Sequence, residues 1–265
     1  MLRRFPFLLL AGFALCLGDS ARSQSVDEIE ACFRANMPEK TSVQTVKLRS
    51  TDRAGGKRTL EAKLYWKRTS EGFSRTLIEI ESPQSDRGSA YLWLEREESE
   101  DMFVYLPELQ RVRRIHPRTA SGSLFGTDFS YEDVQHLQRI SQERVSAERL
   151  PDATLEGRDV AVLRSFPAGE KDSPLRYESI VYFVDRESCI PLKIEFYGAK
   201  ATLSKVARAD PDSISREGKG WVARSVSIRD LANETLSELV VEKIEIDAEV
   251  PDKVFSVERL QRRGR

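Results

Sequence analysis

The sequence predicts an all-β domain: one large antiparallel sheet that closes on itself. Three observations carry this. In residues 60–67, Leu60, Ala62, Leu64 and Trp66 point one way and Glu61, Lys63, Tyr65 and Lys67 the other, the period of a half-buried strand. Roughly eleven or twelve strand-like segments follow at short, regular spacing. No linker, low-complexity tract or repeat interrupts them, so residues 24–265 read as one domain, a length ordinary for a large barrel or sandwich.

Residues 1–23 read as a secretion signal. Arg3 and Arg4 precede an apolar stretch at 5–18, and Ala21 and Ser23 are the small residues of a cleavage site, placing the cut after Ser23. The apolar run is shorter than the roughly 17–25 residues that a membrane span needs. Cys16 follows Leu15, whereas lipidation requires a small residue there, so the mature protein is expected to be soluble in the periplasm.

After the signal, Val26, Ile29, Phe33 and Met37 recur at helical spacing, and Pro38 ends that helix. Strands are then expected at 43–49, 60–67, 73–81, 90–95, 102–106 and 111–115. A second set follows at 159–165, 177–185, 192–197, 203–209, 221–230 and 234–246. Turn residues at 54–56, 83–88, 107–108, 185–188 and 217–220 separate them. Between the two sets, Ser130–x–x–Asp133 is a capping box that opens a short helix to about Ile140. Residues 254–260 suit a last strand or a short docking turn, and the basic 261–265 a frayed tail.

The whole chain carries 42 basic and 43 acidic residues; without Arg3, Arg4, Arg22 and Asp19 the balance is 39 against 42. That near-balance argues against nucleic acid as a partner. Cys32 and Cys189 remain. A chain of this size builds a core without staples, so two unpaired thiols are expected and a disulfide is the alternative.

Enzyme signatures are absent: there is no G-x-S-x-G, H-E-x-x-H, C-x-x-C or phosphate loop. His136 lies three residues after Asp133, close enough for a pair on one helical face, yet without convergent partners it reads as a surface histidine. The basic cluster Arg111, Arg113, Arg114 and Arg118 has two uses: forked hydrogen bonds to a lipid headgroup at a cavity mouth, or charge that protects a solvated strand edge. Leu124, Phe125 and Phe129 lie in a loop flanked by Gly122 and Gly126, which either packs in the core or covers an apolar cavity.

The segments Tyr105-Leu106-Pro107-Glu108-Leu109-Gln110-Arg111-Val112-Arg113-Arg114-Ile115 and Gly126-Thr127-Asp128-Phe129-Ser130-Tyr131-Glu132-Asp133 resemble those of the LolA-like outer-membrane lipoprotein-sorting proteins. Weaker matches are Pro83–Ser89, Lys193–Tyr197, Leu203-Ser204-Lys205 and Val254-Phe255-Ser256. The resemblance implies an incomplete, strongly curved antiparallel β-barrel with helices over its open side, a LolA/LolB-like architecture. It implies a periplasmic carrier that holds the acyl chains of a lipoprotein or lipid and moves it toward the outer membrane. Such a carrier needs no cofactor and no metal. Its partners would be the acylated cargo, with an inner-membrane exporter and an outer-membrane acceptor as candidates; the oligomeric state is left open.

The carrier reading predicts a pocket lined by Leu64, Trp66, Ile78, Leu92, Leu94 and Val104, covered by Leu124, Phe125 and Phe129, with Arg111, Arg113 and Arg114 at the rim. A sensor or scaffold of an envelope-stress or lipid-export system, with no transport of its own, is the alternative. A lipid-processing enzyme would have only Asp128, Asp133 and His136 to draw on.

Overall fold

A computed structural model describes residues 24–97, 99–116, 119–140, 146–166 and 177–262, with backbone only at 135 and 137–140. The signal segment, Arg118 and the end of the basic tail lie outside these residues. Helix α1 (Val26–Ala35) starts at a capping box, where the Glu28 N–H donates to Ser25 Oγ at 3.2 Å and the Ser25 N–H to Glu28 Oε2 at 2.7 Å. Six strands follow: β1 (Thr41–Thr51), β2 (Lys57–Arg68), β3 (Ser74–Ser82), β4 (Ala90–Glu95), β5 (Glu100–Leu106) and β6 (Arg111–Arg114). Helix α2 (Tyr131–Ile140) comes next. Then come β7 (Ser146–Leu155), β8 (Arg158–Phe166), β9 (Ser179–Asp185), β10 (Pro191–Gly198), β11 (Thr202–Ala209), β12 (Ile214–Glu217), β13 (Gly220–Ala223), β14 (Ser225–Asp230) and β15 (Thr235–Ile246). A single-turn 3-10 segment, Asp252–Phe255, and helix α3 (Val257–Arg262) end the chain.

Thirteen of these strands form one antiparallel sheet in the order β6-β5-β4-β3-β2-β1-β15-β14-β11-β10-β9-β8-β7, and β12–β13 make a separate hairpin. The sheet is not closed: its two ends, β6 and β7, are not joined, as the resemblance implies and unlike the fully closed sheet that strand spacing alone suggests.

Its curvature follows from two contacts. The Tyr131 ring lies 5.1 Å from that of Tyr91 on β4, and Asp133 bonds Lys205 on β11. β4 and β11 are six strand spacings apart, about 29 Å on a flat sheet. Residues two apart in the chain cannot bridge that distance, so the sheet curls around them.

Both faces are covered. The concave face carries Leu48, Leu60, Ala62, Ile80, Tyr91 and Trp93 in one half, and Leu163, Tyr182, Ile194, Phe196 and Ile228 in the other. Phe129 packs against both halves. On the convex face, Leu77, Leu92 and Tyr105 lie under Val254, Phe255 and Leu260 of the C-terminal turn and helix. The Arg259 guanidinium reaches the buried Glu79 carboxylate there at 3.2 Å. So 254–260 is a docking segment rather than a strand.

Three expectations need correction. Cys32 and Cys189 form a disulfide, with Cα atoms 5.5 Å apart, that ties α1 to the β9–β10 turn. The size argument for free thiols fails locally because α1 packs on the sheet mainly through Val26, Ile29 and Phe33. The strand expected at 221–230 is broken at Arg224, with Gly220–Ala223 turned out to pair with β12. β7 was not foreseen, because Pro151 and its many polar residues do not look like a strand. It is an edge strand with a register break between Leu150 and Ala153, where proline is tolerated.

Candidate functional site

The site is the concave face and the segment from Ala120 through α2 that lies across it. Leu124 is buried in the concave core, with Phe125, Phe129, Tyr131 and Val134 packed against the same cluster. The protein's own side chains therefore occupy the space that an apolar ligand would take.

Polar ties at three points hold this lid to the sheet. Near its start, Arg58 on β2 donates from Nη1 to Phe125 O at 2.7 Å and pairs with Asp86 in the β3–β4 loop. Gly126 sits there at φ +74, and a Cβ on it would lie 2.7 Å from Arg58 Nη1, so glycine allows both the backbone conformation and the approach. In the middle, the carboxylate of Asp128 accepts from the Thr235 hydroxyl and, at 2.7 Å, from the Ser237 hydroxyl, both on β15. At the start of α2, Asp133 closes the expected capping box: Ser130 N–H donates to Asp133 Oδ2 at 2.7 Å, and Asp133 N–H donates to Ser130 Oγ at 3.0 Å.

Asp133 does more than cap. The Tyr177 hydroxyl donates to its Oδ1 at 2.8 Å, and Lys205 Nζ lies 3.0 Å from its Oδ2. Lys205 also donates to Asp128 O at 2.6 Å. Burying this lysine would be prohibitive without such partners. One turn further along α2, His136 is buried and lies 3.3 Å from Glu132. It is therefore not the surface histidine expected, and its carboxylate neighbour is Glu132, not Asp133. Burial pushes the Tyr91, Tyr131 and Tyr182 hydroxyls above the ordinary tyrosine range.

The structure brings most of the expected pocket residues to one face. Leu64, Ile78 and Val104 belong to the concave cluster with Leu124, Phe125 and Phe129. Trp66 shares that face through its pairing with Thr76, which in turn faces Trp93. Leu92 and Leu94 do not: Leu92 pairs with Leu77 and Phe103, and both leucines sit on the convex face beneath the C-terminal segment. Tyr91 and Trp93, one residue out of step, take their place, because a strand buried on both faces shows no alternation to set its phase. Arg111, Arg113 and Arg114 are exposed on β6, the edge of the sheet. Arg113 pairs with Val104 and Arg111 with Leu106, which puts both on the concave side, while Arg114 pairs with Asp101.

Sequence reasoning missed Lys205. The available signal was its phase, since it alternates with the buried Ala207 and Ala209 on one strand face. Asp86, Asp128, Asp133 and Lys205 belong to three of the short segments that carried the family resemblance, and the structure brings all three segments to the lid.

Among the described residues, no group of three His, Cys, Asp or Glu is placed to hold a metal ion, and no helix is long and apolar enough to cross a membrane.

A family model described as "uncharacterized protein" matches residues 72–262. None of the curated proteins compared matches the sequence. Among solved structures, the chain is similar to a provisionally assigned outer membrane lipoprotein-sorting protein domain from Vibrio parahaemolyticus. The identity is 23% and the TM-score 0.79, over 89% of this chain and 98% of that one. A DUF1329 family protein from Desulfovibrio piger is 20% identical with a TM-score of 0.79, over 90% of this chain and 100% of that one. A LolA superfamily protein from Nitrosomonas europaea is 19% identical with a TM-score of 0.68, over 88% and 98%. These three share the fold: an open, curled antiparallel sheet with few helices.

Proposed function

The chain belongs to the family whose model matches residues 72–262, and we propose that it is a periplasmic carrier that buries the acyl chains of a lipoprotein or lipid against its concave face and moves them toward the outer membrane. One observation carries this reading: the apolar concave face is filled by the apolar side chains of a lid, in whose place acyl chains would pack. Displacing Leu124, Phe125 and Phe129 forfeits about 5–9 kcal/mol of burial. A single sixteen-carbon chain gains roughly 12 kcal/mol. Opening also breaks the buried Lys205–Asp133 tie, about 3–5 kcal/mol, so one long chain roughly balances the cost and two exceed it.

The remaining parts have roles in the same cycle. The lid ties break when cargo enters and re-form when it leaves. Arg111 and Arg113, at the free edge on the concave side, face the headgroup with forked donors. The likeness to the lipoprotein-sorting domain from Vibrio and to the LolA superfamily protein from Nitrosomonas supports a lipoprotein-binding role. The disulfide and the signal-like 1–23 support an oxidising envelope compartment and a single mature domain. Catalysis is a poorer use of the site, because Asp128 and Asp133 are engaged in the bonds that hold the lid and His136 is buried against Glu132 of its own helix.

Trp66 and Trp93 lie on the concave face, and the third tryptophan, Trp221, lies on the separate hairpin. A diacylglycerol brominated along its chains therefore tests the reading. Saturable quenching of the Trp66 and Trp93 emission, leaving that of Trp221, is the expected result. Lipid added to delipidated protein without any quenching would overturn the carrier and favour the scaffold alternative.

A further inference from the structure

Three polar atoms on the concave face are buried and have no hydrogen-bond partner among the described residues: Trp66 Nε1, Thr76 Oγ1 and Tyr91 Oη. Their residues are 3%, 2% and 0% exposed. They are neighbours. Trp66 and Thr76 are directly opposite across β2 and β3, and Tyr91 is opposite Ile78, two residues further along β3. Such a pair has Cβ atoms about 5 Å apart, and the diagonal position is about 7–8 Å away. Around them the same face is mainly apolar, with Ile78, Ile80, Trp93 and Val104, and its nearest charge is Glu100, which accepts from Trp93 Nε1 at 3.3 Å. Native interiors rarely leave such groups bare, because each forfeits its hydration with nothing in exchange. Three such groups on neighbouring positions of one face are placed to meet a polar group of a ligand.

The chemistry of the three atoms defines that partner. The indole N–H only donates, while the two hydroxyls donate or accept. Burial holds the Tyr91 hydroxyl in its protonated, donating form. A patch of donors inside an apolar face fits an uncharged acceptor attached to hydrocarbon. We propose that Trp66, Thr76 and Tyr91 form a subsite for the ester or amide carbonyl oxygens that join acyl chains to their anchor, with the chains lying along the neighbouring Ile78 and Val104. This rests on the carrier reading and adds to it a specificity: the site recognises the acyl linkage and not hydrocarbon alone. The Tyr91 ring lies 5.1 Å from that of Tyr131 on the lid helix, so opening the lid uncovers the Tyr91 side of the subsite.

The test uses the delipidated mature protein and two probes of equal chain length, a diacylglycerol with ester carbonyls and its dialkyl ether counterpart without them. Binding of the ester about tenfold or more tighter than the ether is expected. Trp66→Phe, Thr76→Val and Tyr91→Phe should each reduce that preference while ether binding stays constant. The empty Thr76→Val and Tyr91→Phe variants, which nearly conserve volume, should melt at or above the wild-type temperature, because each loses an unpartnered polar atom. Equal affinity of the wild type for both probes would overturn the subsite and leave the carrier standing. So would an ester preference that survives all three substitutions, or a marked fall in the melting temperature of those two variants, which would show that the atoms are already bonded. Failure to bind either probe would instead remove the carrier reading on which the subsite rests.

Discussion

Lys205 Nζ and Asp133 Oδ2 lie 3.0 Å apart with side chains only 2% and 3% exposed, a buried ion pair that joins β11 to the first turn of the lid helix. Breaking one side of such a pair leaves a charge with no solvent. Lys205→Met is expected to lower unfolding stability by about 3–5 kcal/mol. Adding Asp133→Asn should restore part of the loss. Urea denaturation of the two single variants and the double variant measures the coupling, and additive losses would show that the pair does not form.

The Cys32–Cys189 bond closes a loop with a sequence separation of 157 residues. Constraint of the unfolded chain by a loop this long is worth up to about 5 kcal/mol. Reduction, or Cys32→Ser with Cys189→Ser, should lower the melting temperature strongly. Titration of the native protein should find neither thiol reactive before reduction. Two reactive thiols in protein from an oxidising compartment would contradict the pairing.

Alkaline pH should unfold the protein in a defined window. Burial raises Tyr91, Tyr131 and Tyr182, and burial with the hydrogen bond to Glu195 lifts Tyr197 to about 12 from its ordinary 10.0. Folding thus favours the neutral phenols. Their contribution is complete below pH 10.0 and is lost as pH rises through the folded values, up to about 12 for Tyr197. Tyrosinate absorbance should therefore rise together with the loss of circular dichroism. Full ionisation near pH 10 with the sheet intact would contradict the buried placement.

Gly126→Ala sets a side chain at φ +74 against Arg58 Nη1. A destabilisation of about 1–2 kcal/mol is expected. It should be local, speeding limited proteolysis of the 120–130 loop more than global unfolding. An unchanged cleavage rate would show that the Arg58 tie does not hold the lid.

Much of the frame was legible because period-2 alternation and helix caps are local. β2, β4 and α2 appear where their residues predict them, and the Ser130–Asp133 capping box forms as read. What was not legible depends on distant partners. Leu92 and Leu94 went to the wrong face because β4 is buried on both sides, so only its pairing with β3 and β5 sets its phase. Cys32 and Cys189 carry no local sign of each other across so long a loop. Lys205 looked like an ordinary strand lysine, since its partner Asp133 is 72 residues away. The lid motif was recognisable as a unit, but its function as a set of ties appears only where β2, β11 and β15 converge on it.

The central claim is that the concave face exchanges its own lid side chains for acyl chains. Native mass spectrometry of mature protein, isolated gently without detergent and then incubated with a diacylated lipopeptide, tests it most directly. The account predicts a one-to-one adduct, either a co-purified acylated species or the added lipopeptide. It also predicts that the adduct is lost when Ile78→Asp and Val104→Asp place charges on the face where the chains would lie. A protein that stays at its bare mass throughout, while correctly folded and disulfide-bonded, would contradict it.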